Sequence, residues 1–259
     1  MEEKAERRRG IQSVEIGLRV LDALVGLGKA SPLSAIAQAS GLSASQAHRY
    51  LASLTVAGMA RQDAANGRYD VGPAALRLGL GALARIDAFQ ITDAAITDYS
   101  QRTGRTVQIA ALGPLGPTII RWSVGRPPVM TSFNIGSVLP LLSSSTGQIF
   151  LSYSPENEIA ALLETELSAS GQSPDLVEII RKRVLADGCA RVEGTMVPGL
   201  RATAFPIFDL QGKAILSATA LAPGNTTLPD EKNSTAELGK VCKEVSLQLG
   251  YAGYADTDD

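Results

Sequence analysis

At 259 residues the chain is long enough for one large domain or two modest ones around a real hydrophobic core, which excludes a peptide or a stapled mini-protein. It is 45% hydrophobic and 19% charged, a composition outside the disordered class. The formal charge of −2 hides an asymmetry: residues 1–86 hold 11 Lys/Arg against 7 Asp/Glu, while residues 87–259 hold 13 against 19, so a modestly basic piece precedes an acidic body.

The chain opens with a charged segment lacking the apolar run of a secretory signal, so a cytoplasmic protein is expected. Within that segment Arg7-Arg8-Arg9 suits either a flexible arm in a DNA minor groove or a solvated tail. Residues 13–27 place Val14, Leu18, Leu21 and Val25 at helical spacing, with Ser13 as an N-cap and Gly26 and Gly28 as stops. A short helix follows over Ala35–Ser40, capped by Ser34 and stopped by Gly41. The next begins at Ser43 and runs to about Ala57, with Ala47, Tyr50, Leu51 and Leu54 as its core stripe. Residues 59–63 and 68–71 then flank an Asn66-Gly67 step, the signature of a β-hairpin wing.

Pro73 opens a helical stretch through about Phe89 that is apolar on more than one side, and a second helix spans residues 91–103. Beyond it, β-like runs recur at 106–112, 117–124, 129–133, 190–197, 200–208 and 214–222. Helices fall near 145–153, 155–167, 173–187 and 229–250. The uncharged passage from Pro127 to Pro155 is too broken by prolines, glycines and Ser143-Ser144-Ser145-Thr146 to span a membrane, and reads as a buried strand-loop-helix segment. The fold class is α+β in two domains: a winged helix-turn-helix over 11–72, a linker helix over 73–89, and a domain over 90–252 built on an antiparallel sheet. An acidic tail, 253–259, is expected to fray.

A short helix, a glycine turn, a second helix with a polar outward side and a hairpin are what a winged DNA reader needs, so the expected partner is double-stranded operator DNA. Ser43, Ser45, Gln46, His48 and Arg49 on the second helix, with Arg61 and Arg68 on the wing, are the candidate contacts to base edges and phosphates. Catalysis has little support. His48 is the single histidine and lies on that reading helix, and the serine-rich run lacks a Gly-x-Ser-x-Gly elbow. No phosphate-binding glycine loop occurs, and Cys189 and Cys242 are 53 residues apart without companion ligands, so no cofactor, metal or catalytic residue is assigned. The hydroxyls and N–H groups of the serine-rich run, at a helix start, suit an anion such as a carboxylate. The rival readings are an enzyme, or a small-molecule-binding or scaffold protein, with an appended helix-turn-helix interaction module.

Several motifs together resemble the IclR-type bacterial transcription regulators over residues 11–251. They are Gly17-Leu18-Arg19-Val20-Leu21 with Ser40-Gly41-Leu42-Ser43, His48-Arg49-Tyr50-Leu51 and Tyr69-Asp70-Val71-Gly72; then Gly136-Ser137-Val138-Leu139-Pro140 leading to Gly147. The last group is Gly188-Cys189-Ala190 with Glu193, and Pro198-Gly199-Leu200-Arg201 running to Asp209. The resemblance implies a repressor or activator with a GAF-like C-terminal domain that binds a small carboxylic or aromatic acid, assembled as a homodimer or a dimer of dimers. It further implies an effector set of Thr131, Phe133, Leu139, Ser145, Thr146, Leu200, Ala202 and Thr219, with core packing an equal reading of Leu139 and Leu200. Gln148 stands where the family usually has Lys, and Ala202, Thr219 and Leu221 where some relatives place a thiol and hydroxyls, which implies a less polar pocket. Trp122 and Phe133 suit either stacking on an aromatic effector or ordinary sheet packing.

Overall fold

The computed structural model describes residues 11–83, 87–129, 131–224 and 229–253. The arginine triplet and the acidic tail after residue 253 lie outside them. The chain divides after residue 86 into two compact units.

The first unit comprises α1 (Gln12–Gly26), α2 (Leu33–Ser40), α3 (Ala44–Val56), the hairpin β1 (Ala60–Gln62) and β2 (Tyr69–Val71), and α4 (Pro73–Leu83). Val20, Leu24, Ile36, Leu51, Ala60 and Tyr69 form its core. Gly41, at φ 68°, ends α2: its N–H and that of Leu42 reach Gln38 O and Ala37 O, and this glycine-dependent cap reverses the chain into α3. Ser13 and Ser34 fall inside their helices, behind the caps Ile11 and Pro32. The buried side of α1 is also not the one its spacing suggests. Val20, Leu21 and Leu24 are buried, whereas Val14, Leu18 and Val25 stay more than half exposed, at 55%, 53% and 56%. Two apolar stripes compete on this helix, and packing against α2 and α3 selects the one that carries Gly17, next to the Tyr50 ring.

The second unit comprises α5 (Ala88–Thr103), β3 (Thr106–Gly113), β4 (Gly116–Ser123), α6 (Ser145–Tyr153), α7 (Glu156–Ser170), α8 (Asp175–Asp187), β5 (Ala190–Glu193), β6 (Leu200–Phe208), β7 (Ala214–Pro223) and α9 (Glu231–Gln248). Its five strands form an antiparallel sheet in the order β4-β3-β7-β6-β5. Helices α5 and α9 cover one face through Ile96, Tyr99, Val107, Ile109, Ala218 and Leu238. The other face carries α6, α7 and α8 through Ile149, Phe150, Ile159, Ile180 and Val184.

Three boundaries differ from the sequence expectation. The helix opened by Pro73 is described only to Leu83, and Phe89 belongs to α5, because the Asp87 side chain accepts the Gln90 N–H and caps a new helix there. The β-like run 129–133 forms no strand among its described residues; the Thr131 hydroxyl instead accepts the Phe133 N–H in a local turn. The run 190–197 stops pairing after Glu193, where Gly194 takes φ 67° and the chain curls back to Leu200.

Candidate functional site

On α3 the alternation of Ala47 and Leu51, both 0% exposed, with polar neighbours leaves Ser43, Ser45, Gln46, His48, Arg49, Ala52 and Ser53 exposed on one side. Ser43 and Gln46 have a second task. Ser43 Oγ accepts the Gln46 N–H at 3.3 Å and Gln46 Oε1 accepts the Ser43 N–H at 3.2 Å, a capping box that fixes where the helix begins. Among the described residues the Arg49 guanidinium has no ionic or hydrogen-bond partner.

The wing arginines are more engaged. Arg61 pairs with Asp70 at 2.7 Å across the hairpin, which lowers the Asp70 carboxyl and raises the Arg61 guanidinium from their ordinary values. Arg68 donates to Ala30 O at 3.2 Å, and Ser31 bonds Tyr69 in both directions, so the wing is tied to the segment before α2. Arg61 and Arg68 are thus exposed cations whose side chains already have work to do in the fold.

In the second unit a cleft opens between the first turn of α6, the ends of β6 and β7, and the chain between β5 and β6. Six of the eight sequence-assigned effector residues line it: Phe133, Leu139, Ser145, Thr146, Leu200 and Ala202. Thr131 and Thr219 do not. Thr131 is used in its local turn, and Thr219, 0% exposed, stands behind Thr146 with the two hydroxyls 2.7 Å apart. Trp122 pairs across from Gln108 on the sheet and is also outside the lining.

The sequence reading missed Gln108, Val192, Thr195, Met196 and Val197 as lining residues; Ser144, from the serine-rich run, and Leu221, from the departures from the family pattern, line the cleft as well. Gln108 was legible only as a polar residue inside an apolar strand, and buried polar side chains need partners. It finds one in Thr146 Oγ1, to which its Nε2 donates at 3.1 Å.

The polar end of the cleft is built by α6. Ser144 Oγ accepts the Gly147 N–H at 2.8 Å and caps the helix, and Gln148 N bonds back to Ser144 O. Among the described residues no acceptor meets the N–H groups of Ser145 and Thr146, nor the Ser145 hydroxyl, although Ser145 is only 2% exposed. These groups sit at the positive end of the helix dipole, and the other lining side chains carry no charge.

Two anchors hold this turn, the half-buried Glu166 and the buried Gln148. The Glu166 carboxylate on α7 accepts from Leu141 N at 2.6 Å and Leu142 N at 2.9 Å. Gln148 donates to Leu142 O at 2.8 Å and accepts from Arg183 at 3.0 Å, so it serves the loop from behind and does not enter the cleft.

Among the described residues no group of three His, Cys, Asp or Glu could hold a metal ion, and no helix is long and apolar enough to cross a membrane.

Residues 13–64 match the IclR helix-turn-helix domain and residues 80–248 the C-terminal domain of the bacterial transcriptional regulator IclR. The HTH-type transcriptional regulator XynR of Escherichia coli is 26% identical over 248 residues, covering 93% of this chain and 98% of that one. The glycerol operon regulatory protein of Streptomyces coelicolor is 30% identical over 208 residues, 78% and 80% of the two chains. The crystal structure of Pseudomonas aeruginosa HmgR superposes with a TM-score of 0.78 at 33% identity, over 94% of this chain and all of that one. With both family domains matched in order and relatives that are transcriptional regulators, the chain belongs to the IclR family of DNA-binding transcription regulators.

Proposed function

We infer that this regulator reads operator DNA through the outward side of α3 and the wing, and that a carboxylic or aromatic acid bound at the α6 cleft changes its operator affinity. The proposal divides the chain into a reader over 11–72, a connector over 73–86 and a sensor over 87–252, the sequence-based limit of 89 being moved to the start of the second unit. It acts in the cytoplasm as a homodimer or a dimer of dimers; the exposed row Ile11, Val14, Leu18 and Val25 on α1 offers apolar surface that a second copy covers. Ser45, His48 and Arg49 make the readout contacts, Ser43 and Gln46 set the helix start and reach the duplex beside it, and Arg61 and Arg68 flank the groove with phosphate contacts.

The observation that carries the effector assignment is the unpartnered Ser145 hydroxyl beside two free N–H groups at the start of α6, facing a cleft otherwise walled by Phe133, Leu139, Met196 and Leu200. Fixed dipoles without a competing charge suit one carboxylate, and the apolar wall suits a ring or short chain. Thr131 and Thr219 act behind the contact surface, through the Phe133 turn and the Thr146 hydroxyl. Occupancy favours one separation of the paired reading helices, and only a separation near one helical turn, about 34 Å, or a multiple of it matches two half-sites.

The test is a thermal-shift titration with benzoate and pyruvate as probe acids on the parent protein and on Ser145→Ala. A native-state ligand raises apparent stability as RT ln(1 + [L]/Kd), and Ser145→Ala is expected to weaken the response about tenfold while ligand-free operator binding stays intact. No response to either acid, or an equal response in both proteins, removes the cleft as the acid site.

A further inference from the structure

Strand β5 ends the sheet and pairs on one side only, with β6. The opposite edge is closed: along β4, Ile119 N donates to Ser137 O at 3.0 Å, Gly136 N to Ile119 O at 2.7 Å and Leu139 N to Pro117 O at 2.7 Å. Along β5, Gly194 N donates to Leu200 O at 2.9 Å, and the register runs from Ala190↔Ala204 to Glu193↔Arg201. Antiparallel ladders alternate bonded and non-bonded pairs, so 190, 192 and 194 face β6 and the peptide groups of Arg191 and Glu193 point outward. On that outer side, among the described residues, the Thr195 hydroxyl reaches Glu193 O at 3.3 Å and no backbone group reaches either residue.

We propose that β5 is an interface at which two copies of this chain join edge to edge, antiparallel, about a two-fold axis at Val192. In that register Arg191 of one copy stands directly opposite Glu193 of the other, twice over, with their outward N–H and C=O groups exchanging four hydrogen bonds, and Val192 meets the partner's Val192. An edge guarded against aggregation carries charges that repel a copy of itself, or Pro, or a bulge. Here the charges are opposite and evenly placed about the central valine, so reversing the strand brings unlike charges together. A shift that pairs Arg191 with the partner's Arg191, or Glu193 with the partner's Glu193, opposes like charges instead, so the pattern selects one register.

Both side chains are exposed, and the existing Arg191–Asp187 pair at 3.1 Å, with Arg191 59% exposed, is a weak surface contact that does not hold Arg191 back. A cleft beside the edge, lined by Arg191, Glu193, Thr203 and Phe205 with Lys232 and Thr235 of α9, adds area that pairing covers. Arg191 and Glu193 lie outside the acid-cleft lining, which this edge shares at Val192, and the pairing stands without either the α1 or the acid assignment.

The test uses the full chain in sedimentation equilibrium with its native circular dichroism as a control. Glu193→Arg and Arg191→Glu are each expected to halve the assembly mass, and the double charge exchange R191E/E193R to restore it. An unchanged mass in E193R, or a double variant that stays at half mass, overturns the proposal. Should the charge variants lose their native spectrum, Val192→Cys decides: the native thiols are 2% and 1% exposed, so mild oxidation is expected to link two chains through this position alone, and the absence of a linked dimer overturns the proposal.

Discussion

The hydroxyls of Thr146 and Thr219 lie 2.7 Å apart, both buried to 1% or less, and join the first turn of α6 to the central strand β7. Gln108 of β3 donates to the same Thr146 oxygen. A three-residue relay therefore fixes the helix start at the candidate acid site to the sheet.

Thr219→Val removes one hydroxyl without changing volume much and is expected to cost about 1–3 kcal/mol, because its buried partner loses a bond. Adding Thr146→Val removes the second hydroxyl but also the acceptor of Gln108 Nε2, so the double variant is expected to be less stable than T219V yet to lose less than the sum of the two single losses. Urea unfolding of the four proteins of this cycle measures it, and strictly additive losses would show that the two hydroxyls do not interact.

Gly147→Ala is expected to disrupt the second unit. A Cβ at this position would stand 1.9 Å from Pro140 O and 2.7 Å from Leu141 Cα, so the loop and the helix cannot both keep their places. A loss of at least about 3 kcal/mol, seen as a lower unfolding midpoint in denaturant, follows from forcing backbone against backbone. A midpoint equal to the parent's would mean that the 140–147 turn relaxes freely.

Arg49→Ala should weaken operator binding by about 1–3 kcal/mol if the guanidinium meets a base, or lower the salt slope by about one if it meets a phosphate. Arg61→Ala should do less, because Asp70 already neutralises that cation. Gel-shift titrations at several salt concentrations separate these outcomes. Binding by R49A indistinguishable from the parent removes Arg49 from the interface.

Tyr99 predicts an alkaline limit. It is fully buried, its hydroxyl donates to Ser234 O at 2.7 Å, and burial pushes the phenol up from 10 to about 12. A raised folded value means that the contribution is fully present below the unfolded value near 10 and is lost as pH rises toward 12. The effect amounts to at most about 2–3 kcal/mol. Tyr99→Phe should flatten the fall in stability over that window, as followed by denaturant midpoints from pH 9 to 12. An equally steep fall in the variant would assign the limit to other groups.

The helices and strands were legible in the sequence wherever one pattern had no competitor. Ser43-x-x-Gln46 marks the start of α3, Gly41 the turn before it, Asn66-Gly67 the wing, and the alternating runs of β3, β6 and β7 the sheet. The outward set on α3 was equally legible, because burial of Ala47 and Leu51 fixes the exposed side of a helix. In the cleft, Ser145, Thr146, Leu200 and Ala202 came from family resemblance, and the cavity brings them together.

The sequence alone determined most local elements, the two-part organisation and the family, since these rest on residues within a few positions of one another; the run 129–133, which forms no strand among its described residues, is an exception. Tertiary structure decided which stripe of α1 is buried, that Gln108 and Met196 reach the cleft while Thr219 stands behind it, and that β5 keeps an open edge. Those outcomes depend on partners far apart in the chain: Gln108 and Thr146 are 38 residues apart, and Thr146 and Thr219 are 73. Short-range periodicity states which side of an element is apolar, but only the competition among all packed elements settles which groups meet.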